Sequence, residues 1–213
     1  MSTPDLLRTI VAATEGLDIG MMMYCAGADP YYEPFLANPV DVSLALVQRN
    51  CVVAMQVCHH FAGPMATRGT GGIVLVSSGA GLLGSSNIVA YSATKAFDMV
   101  MAEGLWSELH AKGVDVLGLV LGVTDTPALR QLLARRGNLA RADDGTPIPG
   151  AATPTAVAAE AIANLANGPT WFVGEQLRDG AQLMGAMPRS DAVKMRLQHG
   201  AGIMDTQLSA PDA

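Results

Sequence analysis

Tyr91 and Lys95 stand four residues apart, so on a helix they share one face. A lysine ammonium beside a phenol favours the phenolate and pulls its pKa down from about 10 toward neutrality. A tyrosine tuned in this way exchanges protons as a general acid or base, worth about 10²–10⁴ in rate. Ser78 lies upstream, just past a run that reads as a strand, where its hydroxyl can meet the start of the tyrosine helix. Chance alone gives about 0.06 matches to the Tyr–Lys spacing in a chain of this composition, and requiring Ser78 as well lowers that to about 0.003.

The elements that must hold these residues follow from periodicity. Leu6, Leu7, Ile10 and Val11 fall at helical spacing, with Gly16 as a stop. Residues 17–24 form a short apolar run bounded by glycines, the pattern of a buried parallel strand. A long helix, capped by Asp41 or Ser43, runs to about Phe61, with Asn50 inside it against its propensity. Ile73–Val76 is a second strand, residues 77–86 a Gly/Ser-rich loop, and residues 91–112 a second long helix stopped by Gly113. Residues 114–120 read as a third strand. Thr126-Pro127 and Thr153-Pro154 each read as a helix start, and residues 171–173 as a fourth strand. Helices alternating with strands predict an α/β fold: a parallel sheet with helices on both faces and ligands outside the strands' carboxyl ends.

At about 150 residues per domain, 213 residues predict a single domain, here 1–205 with a disordered tail at 206–213. Half the residues are hydrophobic and 15% are charged, which excludes a disordered chain. A net charge of −6 without a basic cluster argues against nucleic acid, and no apolar run reaches the length of a membrane span. Cys25, Cys51 and Cys58 have neither disulfide nor zinc spacing, and reduced thiols fit a cytoplasmic protein. No metal site is expected.

The segment 73–95, IVLVSSGAGLLGSSNIVAYSATK, resembles the active-site block of the short-chain dehydrogenase/reductase family. That family carries a serine loop followed by a Tyr-x-x-x-Lys helix. Asn50 sits where its fourth catalytic residue is expected. Residues 121–127, LGVTDTP, resemble its Pro-Gly-x-x-x-Thr loop, and Cys25-Ala26-Gly27 its Asn-Ala-Gly loop. The resemblance implies a Rossmann-like doubly wound parallel sheet. It also implies an oxidoreductase that uses NAD or NADP to reduce a carbonyl or oxidise an alcohol.

It assigns catalysis to Asn50, Ser78, Tyr91 and Lys95. Tyr91 would exchange the proton, Ser78 would bind the substrate oxygen, and Lys95 would lower the Tyr91 pKa and hold the nicotinamide ribose. Asn50 would keep a water in relay from Lys95. Cofactor binding would fall to Ala26, Gly27, Tyr91, Lys95, Gly122, Val123 and Thr126. Apolar side chains expected at the cleft, Leu82, Leu83, Ile88, Leu129 and Leu132, suggest a hydrophobic ketone, steroid-like or acyl substrate. The helices 43–61 and 91–112 resemble those through which the family forms homo-oligomers.

Three departures stand out. Cys25 replaces the usual Asn and Leu121 the usual Pro. The family's opening strand and Thr-Gly-x-x-x-Gly-x-Gly turn, which seat the pyrophosphate, have no counterpart here. The first strand corresponds to the family's fourth, so the sequence reads as the C-terminal part of the domain, about four strands. The alternative reading is therefore an inactive truncated remnant that pairs with a complete relative. Met21–Met23 would then form an apolar sheet edge prone to association.

Gly79-Ala80-Gly81-Leu82-Leu83-Gly84 fits G-x-G-x-x-G, yet no helix opens directly after it, so it reads as the serine loop. His59-His60 read as surface residues and Asp143-Asp144 as a turn. Arg135-Arg136 read as basic residues at a helix C-terminus. Tyr31-Tyr32 read equally as surface or cleft edge, and the methionines 184, 187 and 195 as helix packing rather than a lid.

Overall fold

Four apolar runs become four parallel strands in the computed structural model, which describes residues 3–198 and Met204. They are β1 (Met21–Tyr24), β2 (Gly71–Ser78), β3 (Val114–Leu121) and β4 (Thr170–Phe172). The sheet order is β1-β2-β3-β4, with Met22 beside Ile73, Ile73 beside Val116, and Leu119 beside Trp171. β2 and β3 read as continuous apolar runs because both their faces are covered.

Three helices cover one face: α1 (Thr3–Ala13), α3 (Ala54–Arg68) and α4 (Val89–Leu109). Val57, Cys58, Phe61 and Met65 of α3 and Ala102 and Leu109 of α4 meet Met22, Ile73, Leu75 and Val116 there. Each Val, Leu, Ile, Phe or Met among them, fully buried, contributes about 1.5–3 kcal/mol. The other face packs Val74, Val76, Leu117 and Leu119 under α6 (Pro154–Ala163), through Val157 and Ala161. That cover stops short of β1, where Met21 and Met23 are exposed at the edge of the sheet.

The first long helix is longer than expected and irregular. α2 (Val40–Val47) runs into α3 through π-helical turns at Gln48–Val53, forming one rod from 40 to 68. Pro39 precedes it, and neither Asp41 nor Ser43 caps it with a side chain. α4 ends near the expected point: a 3₁₀ turn at His110–Lys112 leads to Gly113, left-handed at φ 75°. α5 (Pro127–Arg135) and α6 start as expected, with Thr126 and Thr153 accepting from the amides of Leu129 and Ala156.

The stretch read as helix packing around Met184, Met187 and Met195 forms two helices, α7 (Glu175–Gly185) and α8 (Arg189–Gln198), whose bounds are not assigned from the sequence above. Met184, Met187 and Met195 are half-buried there. The stretch 206–213, expected to be disordered, lies outside the described residues. Among those described, no helix is long and apolar enough to cross a membrane.

Candidate active site

The carboxyl ends of β1, β2 and β3 converge above α4. Ser77, the penultimate residue of β2, donates its hydroxyl to the Lys95 carbonyl at 2.6 Å and so fastens the strand to the helix. Ser78 is extended and caps the 3₁₀ turn Gly79–Gly81, its Oγ accepting from the Ala80 amide at 3.2 Å. Gly81 then lies flat on α4: a Cβ there would sit 2.6 Å from the Lys95 carbonyl carbon and 2.7 Å from the Ala96 nitrogen. This third residue of the G-x-G-x-x-G match is thus a packing glycine. Fixed by these contacts, the Ser78 hydroxyl acts on Tyr91 across the start of α4 and lowers its pKa.

Tyr91 is a neutral phenol in this setting. Burial pushes its pKa above the ordinary 10.0, the Ser78 hydroxyl pulls it back, and the charges of Asp29 and Asp98 push it up again. Lys95, expected to lower it, also engages other partners. The Lys95 ammonium donates to the Val76 carbonyl at 2.8 Å and to Asp98 Oδ2 at 3.0 Å, both buried, and lies 5.9 Å from the Tyr91 ring centroid. Its charge is matched within the protein, and burial holds the Asp98 carboxyl above its usual range despite that cation. Asp98 escaped notice in the sequence. The available signal was a carboxylate three residues after Lys95, on the stripe that α4 turns inward.

Asn50 is fully buried in the π-helical turns. It donates to Thr94 Oγ1 at 2.9 Å and accepts from Arg49 Nε at 3.2 Å. Thr94 in turn donates to the Tyr91 carbonyl at 2.9 Å. The poor helix propensity of asparagine is met by the widened turns, a local irregularity found often at functional sites. Gly27 packs against Asn50 at φ 129°, where a Cβ would lie 2.8 Å from Asn50 Oδ1. Ala26 and Cys25 beside it are exposed. Tyr24, at the end of β1, donates to the Arg49 carbonyl at 2.5 Å.

On the far side of the sheet, Gly122 and Val123 leave β3 exposed, and the Val123 carbonyl accepts from the Ala152 amide at 2.9 Å. Thr126 follows as the α5 cap. Asp125 and Arg130 pair through two short contacts, 2.6 and 2.7 Å, which hold the Asp125 carboxyl below its usual range. Leu177 of α7 rests beside Gly79 and Gly122, spanning the ends of β2 and β3.

Several expectations change. Arg135 and Arg136 do more than complement a helix end: they donate to the carbonyls of Pro30 and Tyr32 at 3.1 Å each, and Arg49 reaches Ala28 O at 2.6 Å. Tyr32 is buried under Arg136, whereas Tyr31 is exposed. Leu82, Ile88 and Leu129 are half-buried, whereas Leu83 and Leu132 are buried. A groove of about 540 Å³ opens between the serine loop, α4 and α8, lined by Leu83, Ser92, Ala96, Arg189, Val193 and Leu197. It runs along the opposite side of α4 from Tyr91. His59 is exposed, His60 packs edge-on against Phe61, and Asp143 pairs with Arg141 while Asp144 accepts from the Thr146 amide.

A profile of the short chain dehydrogenase family matches residues 2–137. The 7beta-hydroxysteroid dehydrogenases of Collinsella aerofaciens and Mediterraneibacter gnavus are 35% and 34% identical to this chain over 128 residues. That stretch is 60% of this chain and 48% of theirs, so the chain spans about half the length of the curated relatives it matches. A solved structure described by its insights into 7beta-hydroxysteroid dehydrogenase stereoselectivity superposes with a TM-score of 0.77 at 30% identity. The superposition covers 91% of this chain and 72% of that one.

Proposed function

The chain belongs to the short-chain dehydrogenase family, and on that premise we propose that it interconverts a hydrophobic ketone and alcohol, of hydroxysteroid type, with NAD or NADP. The observation that carries this reading is the seating of Ser78, through Gly81 and the Ser77–Lys95 bond, on the helix that bears Tyr91, with the Ser78 hydroxyl acting to lower the Tyr91 pKa. Ser78 Oγ is held by the Ala80 amide, and Tyr91 stays protonated by burial. A carbonyl oxygen between them would accept from both hydroxyls, and the Tyr91 phenol would deliver its proton to the developing alkoxide. The same groups run backward for alcohol oxidation, with phenolate as the base.

The residues here suit the nicotinamide half of the cofactor. Gly27 leaves its cradle against Asn50 free of a side chain, and the exposed backbone of Gly122 and Val123 beside Thr126 would hold the carboxamide. Tyr91 and Lys95 would face the ribose, and Ala26 and Gly27 would line its approach. When bound, the cofactor supplies or takes the hydride. Gly81 is closed off against α4, so the G-x-G-x-x-G match would not serve the pyrophosphate. Asn50 acts by holding the start of α4 through Thr94.

A second copy of this chain is the proposed partner. Leu44, Val47 and Met55 on the 40–68 rod and Val89 and Val100 on α4 stand exposed. Burying such surface between copies is favourable. Sedimentation should show a dimer or larger assembly that Leu44→Arg disrupts.

The test is a turnover assay with hydroxysteroids and their ketones, with each cofactor, beside a binding titration. Wild type should turn over and Tyr91→Phe should lose about 10²-fold or more. A folded wild type that binds neither cofactor at millimolar concentration would overturn the enzyme reading. That outcome would favour an inactive partner protein, in line with the Lys95 charge being taken up by Asp98.

A further inference from the structure

Asp98 sits one helical turn after Lys95, sealed from solvent with it: their side chains are 2% and 4% exposed. Only one carboxylate oxygen is satisfied. Oδ2 takes the Lys95 ammonium, while Oδ1 is buried without a hydrogen-bond partner among the described residues. A buried carboxylate in that condition holds its cation hard, because losing it would leave an uncompensated charge in low dielectric. The Val76 carbonyl provides a second acceptor in the same pocket, 2.8 Å from Lys95 Nζ. The ammonium is thus held by two acceptors in the pocket, while it lies 5.9 Å from the Tyr91 ring centroid.

We propose that Asp98 is a positioning residue that sets where the Lys95 charge acts: it parks the ammonium between Val76 O and its own carboxylate, and so withholds it from Tyr91 and from a cofactor ribose. The proposal rests on the oxidoreductase reading of Tyr91 and Lys95 and adds a residue to it. In the parked state the Ser78–Tyr91 pair works as a proton donor with a neutral phenol. Once Lys95 rises toward the ribose, Asp98 takes up a proton in the emptied pocket, and the raised ammonium stabilises the phenolate. Loading the site with cofactor is therefore coupled to protonation below it.

The groups that face this pocket are few. β1 contributes Tyr24, the 40–68 rod contributes Arg49, Cys51 and Cys58, and α4 itself contributes Tyr91. Asp29 approaches Tyr91 from the loop after β1. The side chain of Asp115 on β3 belongs to the opposite end of its strand, as do His110 and Lys112 beyond the end of α4.

The experiment follows Tyr91 ionisation by tyrosinate absorbance in the purified chain without cofactor, using Tyr91→Phe to identify its contribution. Four backgrounds are compared: wild type, Asp98→Asn, Lys95→Met and the double variant. Lys95→Met alone should leave the Tyr91 midpoint nearly unchanged, because the charge is parked. Asp98→Asn should lower it by about one unit or more, because the freed ammonium reaches the phenol. In the double variant most of that drop should vanish. No drop in Asp98→Asn, or an equal drop with and without Lys95, would overturn the proposal.

Should Asp98→Asn fail to fold, the unmodified protein still decides the matter. The sequence holds three lysines, Lys95, Lys112 and Lys194, and the latter two are exposed. Nitrogen-15 spectra of the lysine side chains should show one protected ammonium, that of Lys95, losing its protection on addition of NADH or NADPH. An ammonium at Lys95 that exchanges as fast as the other two, or that stays protected in the loaded protein, would overturn the proposal. A moved Tyr91 midpoint in a protein without turnover would sink the oxidoreductase reading and leave the role of Asp98 standing.

Discussion

The Asn50 carboxamide donates to the Thr94 hydroxyl at 2.9 Å, across a gap of 44 residues, and ties the middle of the 40–68 rod to the second turn of α4. Both residues are buried, and Thr94 passes the link on to the Tyr91 carbonyl. The chain of bonds thus links the rod to the Tyr91 backbone. Asn50→Ala leaves Thr94 without its donor and opens space under Gly27. The expected loss is about 1–3 kcal/mol in denaturant unfolding. A cycle with Thr94→Val should show the two residues coupled by more than about 0.5 kcal/mol. Strict additivity would contradict the link.

Gly81→Ala is expected to be the most disruptive small change in the serine loop. The added methyl would meet the backbone of Lys95 and Ala96, which cannot rotate away. The loop must lift, which costs about 1–3 kcal/mol and separates Ser78 from Tyr91. Turnover should fall with the melting temperature. Gly84→Ala, open on all sides, is the control and should leave both unchanged.

Much of this site could be read from residue order alone, for physical reasons. Ser78, Tyr91 and Lys95 lie on a strand end and the helix that follows it, so strand and helix periods fix their relation. Asn50 was legible as an anomaly of propensity, and Thr126 as a cap. Asp98 was hidden because its role depends on which way a lysine bends, a tertiary choice between two partners on one helix. The arginines that hold the 28–32 loop were hidden likewise, since their acceptors are backbone carbonyls about a hundred residues away. α7 does carry a stripe at helical spacing, Leu177, Ala181 and Met184, which interleaved glycines and charges obscure, and it caps the sheet end through Leu177 while α8 contacts the serine loop.

Alkaline conditions should weaken the fold. Burial pushes the Cys58 thiol and the Tyr24 phenol each up to about 12, and Cys51 and Tyr91 move in the same direction. Their ordinary values are 9.0 for the thiols and 10.0 for the phenols. The unfolded chain therefore binds fewer protons than the native one as pH rises from about 9 toward 12, so stability declines across that window. Melting temperatures between about pH 8 and pH 11 should fall, and Cys58→Ala should shallow the slope. A flat profile would contradict the burial of these groups.

The β1 edge should be a site of self-association. Met21 and Met23 are exposed on a strand that, among the described residues, pairs only with β2 and is covered on that face by no helix. Met23→Lys adds a charge to that edge, a common protection against edge pairing. Light scattering at rising concentration should show larger species in wild type than in the variant. Equal scattering would place the association elsewhere, with Leu44 and Val47 the next residues to change.

Ser78 and Tyr91 are registered by main-chain contacts, through Gly81 and through the bond from Ser77 to the Lys95 carbonyl. Neighbouring side chains such as Leu82 and Ile88 take no part in that registration. A change of either side chain would therefore leave the spacing of the two hydroxyls in place.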